Sequence, residues 1–397
     1  MAYDVAVVGA GVIGAACAEA LTAAGLSVTV LDRGAPASGT TAAGEGNVLV
    51  SDKAPGPELA LARDSRRRWP RLLAGLRDLL GPRRAAAEWE AKGGLVVATA
   101  PAAAGPLADF AAAQRAAGVH AEPVSPAGTG ALEPHLTDAV TAAVHYPEDG
   151  QLQPVLATTA LLAAVRARGG RVRPGVTALG VAVGAAGAVT GVRTDRGTVE
   201  CGAVVNACGP WAGRFAAAAG APVAVLPRRG MVLVTAALPA GTVRHKVYDA
   251  DYVGAVAGGG ADLRTSTVVE ATRAGTVLVG SSRERVGFDE TVRVAVLREL
   301  ARKAAGLFPV LAGVRVIRAY GGFRPYVPDH LPVIGEDPRR PGLWHATGHE
   351  GAGIGLAAGT GRLLADLLTG GTPEVDAAPF RVDRPGVMRE AAADERA

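Results

Sequence analysis

The feature that most constrains the fold is a glycine-rich turn near the start of the chain, Gly9-Ala10-Gly11-Val12-Ile13-Gly14. The apolar run before it, residues 3–8, is typical of a buried parallel strand. The alanine-rich segment after it predicts a helix that reaches about Ala24 and is closed by Gly25. Because another apolar run follows at 28–31, the start of the chain predicts a complete βαβ unit.

This turn has the spacing that binds the pyrophosphate of a dinucleotide. In the motif, the first glycine permits the tight turn, the second lets the phosphates approach the backbone, and the third lets helix and strand pack closely. Asp32 ends the second predicted strand, where its carboxylate can accept hydrogen bonds from an adenosine ribose. Arg33 would suit the 2′-phosphate of NADP, but the charge of Asp32 would repel that group. The turn alone does not separate FAD from NAD.

Length and composition exclude several classes of protein. A chain of 397 residues is too long for a single compact core and is expected to form two domains. The net charge is only +4, and the arginine runs lack the interleaved aromatic residues that would suggest nucleic-acid binding. Cys17, Cys201 and Cys208 have the spacing of neither a metal site nor a disulfide scaffold, and no histidine grouping suggests a metal. Lacking a signal peptide and a long apolar stretch, the protein is expected to be soluble and cytoplasmic.

Two further glycine-bearing segments favour FAD. The segment 39–44 follows closely after Asp32 and brings small residues and hydroxyl groups to the pyrophosphate. Near the C-terminus, the turn 347–354 leads into a predicted helix. The N-terminus of that helix can stabilise the negative charge that develops on the pyrimidine end of a reduced flavin. Taken alone, this second segment fits a glycine-rich turn without a ligand equally well, but together with the N-terminal turn it predicts FAD.

Nucleotide-type elements occur at the beginning, in the middle and at the end of the chain. We therefore predict an α/β fold with a Rossmann-like FAD-binding domain built from discontinuous segments, 1–50, 145–220 and 325–375. An α+β substrate domain with a mainly antiparallel sheet would take residues 51–144 and 221–324, followed by a C-terminal tail at 376–397.

The spacing of apolar residues predicts the helices of both domains. They are expected at 57–80, 107–117, 154–168 and 291–305. The stretch 118–150 is rich in proline and glycine and is expected to link the domains.

The order of these motifs resembles the D-amino-acid oxidase-like family of FAD-dependent oxidoreductases, which includes glycine oxidase, sarcosine oxidase and D-amino-acid dehydrogenases. The resemblance covers nearly the whole chain. Besides the N-terminal turn with Asp32 and Arg33, it rests on GTTAAGEGN (39–47), VVNACGPWA (204–212), GFRPYVPDHLPVIG (322–335) and ATGHEGAGIGLAAGTGRLLADLL (346–368).

Within that family, two segments look closest to the flavin subunits of enzymes such as D-hydroxyproline dehydrogenase, opine oxidase and hydrogen cyanide synthase. They are YDADYVGAV (248–256) and TVLVGSSRERVGFD (276–289). Proteins of that group work with partner subunits. The resemblance therefore implies partner subunits of a heteromeric dehydrogenase for this chain.

The resemblance also assigns site residues. Arg324 matches the position where an arginine holds the substrate carboxylate, and its planar fork of donors suits that task. Tyr248 or Tyr252 would offer a hydroxyl to the same carboxylate. The flavin is expected to be non-covalent, because no cysteine stands near 321–324, where sarcosine-oxidase-type relatives carry one. The residues expected to bind the cofactor are Gly9, Ala10, Gly11, Val12, Ile13, Gly14, Asp32, Arg33, Thr40, Thr41, Ala43, Gly44, Gly46, Asn47, Val176, Ala207, Gly209, Trp211, Gly348, His349, Glu350, Gly351, Gly353 and Ile354.

The function implied is oxidation of the carbon–nitrogen bond of a small amino or imino acid, such as a D-amino acid, glycine, sarcosine or a hydroxyproline-like compound. The α-hydrogen would pass as a hydride to flavin N5, and the imine would hydrolyse in water. The cofactor performs the redox step, so no acid–base side chain is strictly required. Two alternatives stay open: an NAD-dependent dehydrogenase, and a flavin-binding subunit with little turnover of its own.

Overall fold

Two large sheets organise the protein. The computed structural model describes residues 2–251 and 260–390, and the predicted site residue Tyr252 lies outside this part of the chain. Within it, each of the two sheets contains eight strands. Helices pack against the strands, so the predicted α/β fold is confirmed.

The first sheet contains the N-terminal βαβ unit. Its central strand, β1 (Tyr3–Val8), pairs in parallel with β2 (Val28–Asp32) and with β11 (Gly197–Asn206). Residues 5–7 are fully buried, as expected for a central parallel strand. The other strands of this sheet are β8 (Arg171–Pro174), β9 (Ala178–Val183), β10 (Val189–Thr194), β17 (Val333–Glu336) and β18 (Leu343–Thr347).

The second sheet is antiparallel except where β13 pairs in parallel with β4. Listed in spatial order, its strands are β16 (Val316–Tyr326), β12 (Leu226–Thr235), β15 (Val277–Arg283), β14 (Arg264–Ala271), β13 (Lys246–Asp249), β4 (Gly94–Ala98), β6 (Ala142–Tyr146) and β5 (Glu122–Val124). A separate two-stranded sheet joins β3 (Asn47–Val48) to β7 (Gly150–Gln151).

Glycines let the main helices approach one another closely. The helices are α1 (Val12–Ala23), α2 (Pro57–Leu80), α3 (Pro101–Ala116), α4 (Thr129–Leu132), α5 (Pro154–Ala167), α6 (Ala212–Ala218), α7 (Val294–Leu307) and α8 (Gly353–Thr369). A Cβ at Gly361 of α8 would lie 2.5 Å from the carbonyl oxygen of Ala16 in α1. The last helix therefore packs directly on the helix that follows the N-terminal turn. None of the described helices is both long and apolar enough to cross a membrane.

The sequence located most elements but missed short strands. Helix 57–80 has the predicted bounds, whereas the helix predicted at 107–117 begins six residues earlier, at Pro101. The stretch 118–150, which we expected to be a link, contributes β5 and β6 to the second sheet. Both strands are short, and proline and glycine around them hide the alternation that identifies a strand. β6 and β16 also run across the predicted domain boundaries at 144 and 324.

Candidate active site

A cavity of about 670 Å³ lies at the carboxyl ends of β1 and β11 and extends to the second sheet. Such crevices outside the carboxyl ends of parallel strands are where nucleotide-type folds bind ligands. Segments from both sheets form its wall. Of the residues predicted to bind the cofactor, those that line the cavity are Gly9, Gly11, Val12, Ile13, Asp32, Arg33, Thr40, Thr41, Ala43, Gly44, Gly46, Asn47, Val176, Ala207, Gly209, Trp211, His349, Glu350, Gly351, Gly353 and Ile354.

The N-terminal turn depends on the absence of side chains. Gly9 has φ +110°, and a Cβ there would lie 2.3 Å from the carbonyl oxygen of Ala207. A Cβ at Gly14 would lie 1.9 Å from the carbonyl oxygen of Gly9, so only glycine lets α1 start this close to β1. Gly14 and Ala10 therefore shape the turn rather than line the cavity. The glycine roles inferred from the spacing agree with this geometry.

Asp32 is fixed by the turn that it faces. Its Oδ2 accepts a hydrogen bond of 2.7 Å from the amide of Ala10, and its Oδ1 accepts one of 2.8 Å from the amide of Gly34. Thr41 braces the other side, where its hydroxyl oxygen accepts a hydrogen bond of 3.0 Å from the amide of Val12. Asp32 and the glycine turn are thus held together by hydrogen bonds at the carboxyl ends of β1 and β2.

Aromatic rings connect the cofactor cavity to the second sheet. Trp211 stacks on Phe288, with 5.2 Å between the ring centroids. The guanidinium carbon of Arg33 lies 4.1 Å from the centroid of the Trp211 ring. Phe288 belongs to the segment after β15, which Arg229 anchors through hydrogen bonds to Glu284 and Asp289. The segment after β15 therefore packs, through Phe288, on a ring that lines the cavity.

The C-terminal turn places His349 and Glu350 at the wall. His349 is buried; its Nε2 lies 2.9 Å from the hydroxyl of Thr360, and its Nδ1 has no hydrogen-bond partner among the described residues. Burial lowers the pKa of His349 to about 3, so the ring is neutral. Burial opposes ionisation of Glu350, yet the hydrogen bond with His330 and the charge of Arg228 hold its pKa below the ordinary value.

These features fit a flavin dinucleotide. The glycine turn packs so closely on Ala207 that a Cβ at Gly9 has no room, and the turn and Asp32 both line the cavity. The buried Nδ1 of His349 has no partner from the described residues, as expected for an atom placed beside a ligand. Gly348 lies behind this turn with φ +78°, where a Cβ would come within 2.5 Å of Val327. It shapes the turn without lining the cavity.

Arg324 lines the same cavity from the second sheet. Its Nη1 donates a hydrogen bond of 2.9 Å to the carbonyl oxygen of Ser282. A Cβ at Gly230 on the neighbouring strand would lie 2.1 Å from that nitrogen, so the missing side chain makes room for the guanidinium. The arginine chosen from the sequence is therefore held at the wall of the cavity.

The predicted tyrosine contacts have a different outcome. Tyr248 is fully buried in the core, and its hydroxyl donates a hydrogen bond of 2.7 Å to Ser51 Oγ. It is not among the described residues that line the cavity. Tyr252 was the other candidate and lies outside the described part of the chain.

Sequence reasoning missed a buried charged group beside the cavity, formed by Glu45, Lys246 and Glu270. The Nζ of Lys246 lies 3.6 Å from Glu45 Oε2 and 3.1 Å from Glu270 Oε2, and it also donates a hydrogen bond to Asn47 Oδ1. Glu45 lines the cavity, as does Ser281 on β15. The available signal was the rarity of lysine, which occurs at only four positions in a chain that otherwise uses arginine.

Among the described residues, no group of three or more histidine, cysteine, aspartate or glutamate side chains is placed to hold a metal ion. The polar groups of the cavity are instead suited to an organic ligand with phosphates at one end and a carboxylate-bearing molecule at the other.

A cavity of this construction belongs to oxidoreductases that hold a dinucleotide cofactor between a parallel sheet and a second sheet. The family can be stated more closely. Residues 4–367 match the model of the FAD-dependent oxidoreductase family known as DAO, and the chain belongs to that family. The resemblance noted from the motifs is thereby confirmed, and the cofactor is FAD rather than NAD.

Individual relatives agree with this placement. Glycine oxidase of Geobacillus kaustophilus is 30% identical over 386 residues, which cover 96% of this chain and 97% of the relative. The crystal structure of glycine oxidase from the same organism superposes with a TM-score of 0.86 at 28% identity and covers 96% of this chain and 98% of that one. A hydrogen cyanide synthase subunit of Pseudomonas aeruginosa is 31% identical over 255 residues, covering 64% of this chain and 57% of the subunit. The protein is therefore an FAD-dependent amino-acid oxidoreductase.

Proposed function

We propose that the protein oxidises the carbon–nitrogen bond of a small α-amino or imino acid whose carboxylate binds Arg324. The observation that carries this proposal is the position of the guanidinium: Arg324 lines the same cavity as the N-terminal glycine turn and the turn before α8. A carboxylate-binding group and a cofactor-binding cradle thus share one space. A substrate held there would present its α-carbon to the cofactor.

Arg324 supplies both binding energy and orientation. A charge-assisted hydrogen bond contributes about 1.5–3 kcal/mol, and the planar fork favours a carboxylate bound through both oxygens. The contact with the carbonyl of Ser282 uses one Nη1 hydrogen and restrains the side chain before substrate arrives. Preorganisation of this kind lowers the entropy lost on binding.

The redox chemistry is that of the flavin, which accepts a hydride at N5. The protein contributes position and electrostatics. The N-terminus of α8, with its turn at His349 and Glu350, faces the cavity, where the helix dipole favours negative charge. His349 stays neutral across the physiological pH range because burial lowers its pKa to about 3. The imine product would leave the cavity and hydrolyse in water.

The decisive experiment is anaerobic mixing of the flavoprotein with a panel of D-amino acids, glycine, sarcosine, proline and hydroxyproline. Bleaching of the flavin by a member of the panel supports the proposal, and absence of bleaching with every member contradicts it. Arg324→Ala should raise the concentration needed for half-maximal bleaching roughly 10- to 150-fold, which corresponds to the lost hydrogen bonds. Flavin content should be unchanged.

Arg318 provides a matched control. It lies on β16 like Arg324, but it is exposed and does not line the cofactor cavity. Arg318→Ala should leave the concentration dependence within twofold of the wild type. Equal effects of the two substitutions would remove Arg324 from the substrate site.

The electron acceptor and the attachment of the flavin are part of the same proposal. The segment 321–324 contains no cysteine, so we propose that FAD is bound non-covalently. The similarity to a subunit of hydrogen cyanide synthase supports a role for partner subunits in accepting electrons. Readmission of air to the bleached protein tests this: rapid return of the yellow colour indicates an oxidase, and slow return a dehydrogenase that needs another acceptor.

A further inference from the structure

We propose that Glu45 binds the positively charged nitrogen of the substrate and removes its proton, while Arg324 holds the carboxylate. This inference rests on the proposed function and adds to it a specificity-determining residue for the amino group. It accounts for a feature of the wall that the redox chemistry does not need. That feature is the side chain of Glu45, which is 10% exposed, lines the cavity and has one oxygen without a hydrogen-bond partner among the described residues.

The side chain of Glu45 is incompletely satisfied. It is 10% exposed and lines the cavity. One oxygen, Oε2, accepts a hydrogen bond of 3.1 Å from the side-chain amide of Asn47. The other, Oε1, is buried and accepts no hydrogen bond from the described residues. A buried acceptor without a partner costs about 1–3 kcal/mol, so its retention points to a ligand that supplies the donor.

Lys246 holds this carboxylate in place. Its side chain is 2% exposed, and its Nζ lies between Glu45 and Glu270, at 3.6 and 3.1 Å respectively. Its hydrogen bond to Asn47 Oδ1 turns the amide of Asn47 toward Glu45. The amide of Asn47 and the ammonium of Lys246 both lie on the Oε2 side of Glu45, so Oε1 is left for a further donor. The ammonium group of the substrate would supply that donor.

Strand β15 sets the spacing between Glu45 and Arg324. A Cβ at Gly280 would lie 2.2 Å from Glu45 Oε1, so this carboxylate lies directly against Gly280. Arg324 Nη1 binds the carbonyl of Ser282, two residues further along the strand. Two residues of strand span roughly 7 Å. This distance suits one amino acid with a hydrogen bond at each end.

Ser281 lies between these two contact points and also lines the cavity. Along β15, the wall of the cavity thus presents the carboxylate of Glu45 beside Gly280, then Ser281, then the guanidinium of Arg324 beside Ser282. A zwitterionic amino or imino acid has its two charges in the matching order. A simple amine or a simple carboxylic acid would satisfy only one of them.

The proton step balances without another reactant. The substrate ammonium gives one proton to the Glu45 carboxylate, which leaves a neutral amine and a neutral carboxylic acid. With FAD bound, the nitrogen lone pair would support loss of the α-hydrogen with both bonding electrons as a hydride, and the flavin would supply the acceptor. Glu45 later returns its proton to solvent.

Several titratable groups lie close enough to Glu45 to interact with it electrostatically. Lys246 on β13 and Glu270 on β14 are its neighbours in the buried cluster. Tyr320 on β16 lies near Glu45 and Glu270, and burial together with these carboxylates raises its pKa to about 12, so it stays neutral. Burial raises the pKa of Glu270, and the charges of Lys246 and Lys92 oppose that rise.

The test compares Glu45→Gln with Glu270→Gln. Both carboxylates contact Lys246, but only Glu45 lines the cavity. With an amino acid that bleaches the wild type, Glu45→Gln should raise the apparent dissociation constant in anaerobic bleaching at least tenfold. It should also remove the fall in bleaching rate on the acid side of the pH profile. Glu270→Gln should change the constant less than threefold and keep that acid limb.

A second measurement separates amine binding from general damage to the site. The desamino acid of the same carbon skeleton should compete with the amino acid for Arg324. Its inhibition constant should be the same within twofold in the wild type and in Glu45→Gln, because it has no nitrogen for Glu45 to bind. In the wild type it should bind at least tenfold more weakly than the amino acid.

Three results would overturn the inference: equal effects of the two glutamine substitutions, an unchanged acid limb in Glu45→Gln, or a desamino acid that binds the wild type as tightly as the amino acid. In each case bleaching by amino acids could still depend on Arg324, and the proposed function would stand. Loss of bleaching in the wild type itself would instead contradict the proposed function.

Discussion

The two ends of the cavity are built in opposite ways. At the nucleotide end, a single stretch of about thirty residues supplies the glycine turn, the helix start and Asp32, and these groups hydrogen-bond to one another. At the substrate end, Glu45, Lys246, Gly280 and Arg324 come from four distant positions in the chain. The nucleotide end is formed by residues that are close in sequence and share a recognisable motif. The substrate end is formed by residues that only folding brings together, and no sequence motif marks it.

This difference predicts different responses to substitution. Backbone geometry dominates at the nucleotide end, where single glycines cannot accept a side chain. Paired charges dominate at the substrate end, where removing one partner leaves another uncompensated.

The largest effect should come from Gly9→Ala. The new methyl group would lie 2.3 Å from the carbonyl oxygen of Ala207, and alanine would be forced to φ +110°. Such a conformation costs about 1–3 kcal/mol before the overlap is counted. The purified protein should be colourless, which the visible spectrum and the flavin released by denaturation will show.

Gly75→Ala is the control for that experiment. Gly75 lies in α2 with no atom within 4 Å of the added methyl group, so the variant should be yellow. Replacement of glycine by alanine inside a helix stabilises it by about 0.5–1 kcal/mol. A yellow Gly9→Ala protein with full flavin content would show that the turn tolerates a side chain and would weaken the contrast between the two ends.

Lys246→Met should have the next largest effect. It would leave Glu45 and Glu270 buried without their shared cation, and the loss of one partner of a buried ion pair costs about 3–5 kcal/mol. The free energy of unfolding in urea should fall by about that amount. Lys92→Met removes a lysine that binds a carbonyl and contacts the more exposed Glu90 at 3.9 Å, and should cost less than Lys246→Met because no fully buried carboxylate loses a contact within 4 Å. Similar losses for the two variants would contradict the importance assigned to the cluster.

An effect that depends on pH is expected for Asp149→Asn. Burial raises the pKa of Asp149 to about 7, although Ser51 and the amides of Val50 and Ser51 donate hydrogen bonds to it. Because the folded pKa lies above the unfolded value, the stabilisation by this carboxyl group is complete below about pH 4. It is lost as the pH rises toward 7.

The stability of the wild type relative to Asp149→Asn should therefore fall between pH 4 and pH 7 and be constant above that range. Thermal unfolding of both proteins in a series of buffers measures the difference. A difference that does not change with pH would show that Asp149 has an ordinary pKa in the folded protein. In that case, the charged groups with the largest effect on stability would be those of the substrate end alone.

The same contrast explains what the sequence could predict. The roles of Gly9, Gly14 and Asp32 follow from a motif whose parts are neighbours in sequence, and the structure has them in that geometry. Arg324 was found through a family pattern and does line the cavity. Tyr248 was chosen in the same way, yet its hydroxyl donates a hydrogen bond to Ser51 in the core, and the residue does not line the cavity.

Glu45 could not be identified from sequence as a charged wall residue. Its role depends on contacts with Lys246 and Gly280, and each of these contacts joins residues more than two hundred positions apart. The stretch 118–150 was hard for a related reason. Its short strands, β5 and β6, are held by their neighbours in the second sheet rather than by their own propensity.

The placement of α8 against α1 has a consequence for how the protein is made in the cell. The cradle at the beginning of the chain is closed by residues near position 350, and Gly361 packs against Ala16. During synthesis, the N-terminal segments leave the ribosome long before those residues exist. The phosphate-binding turn of the nascent polypeptide therefore stays half enclosed until the residues near position 350 and the helix after them have been synthesised.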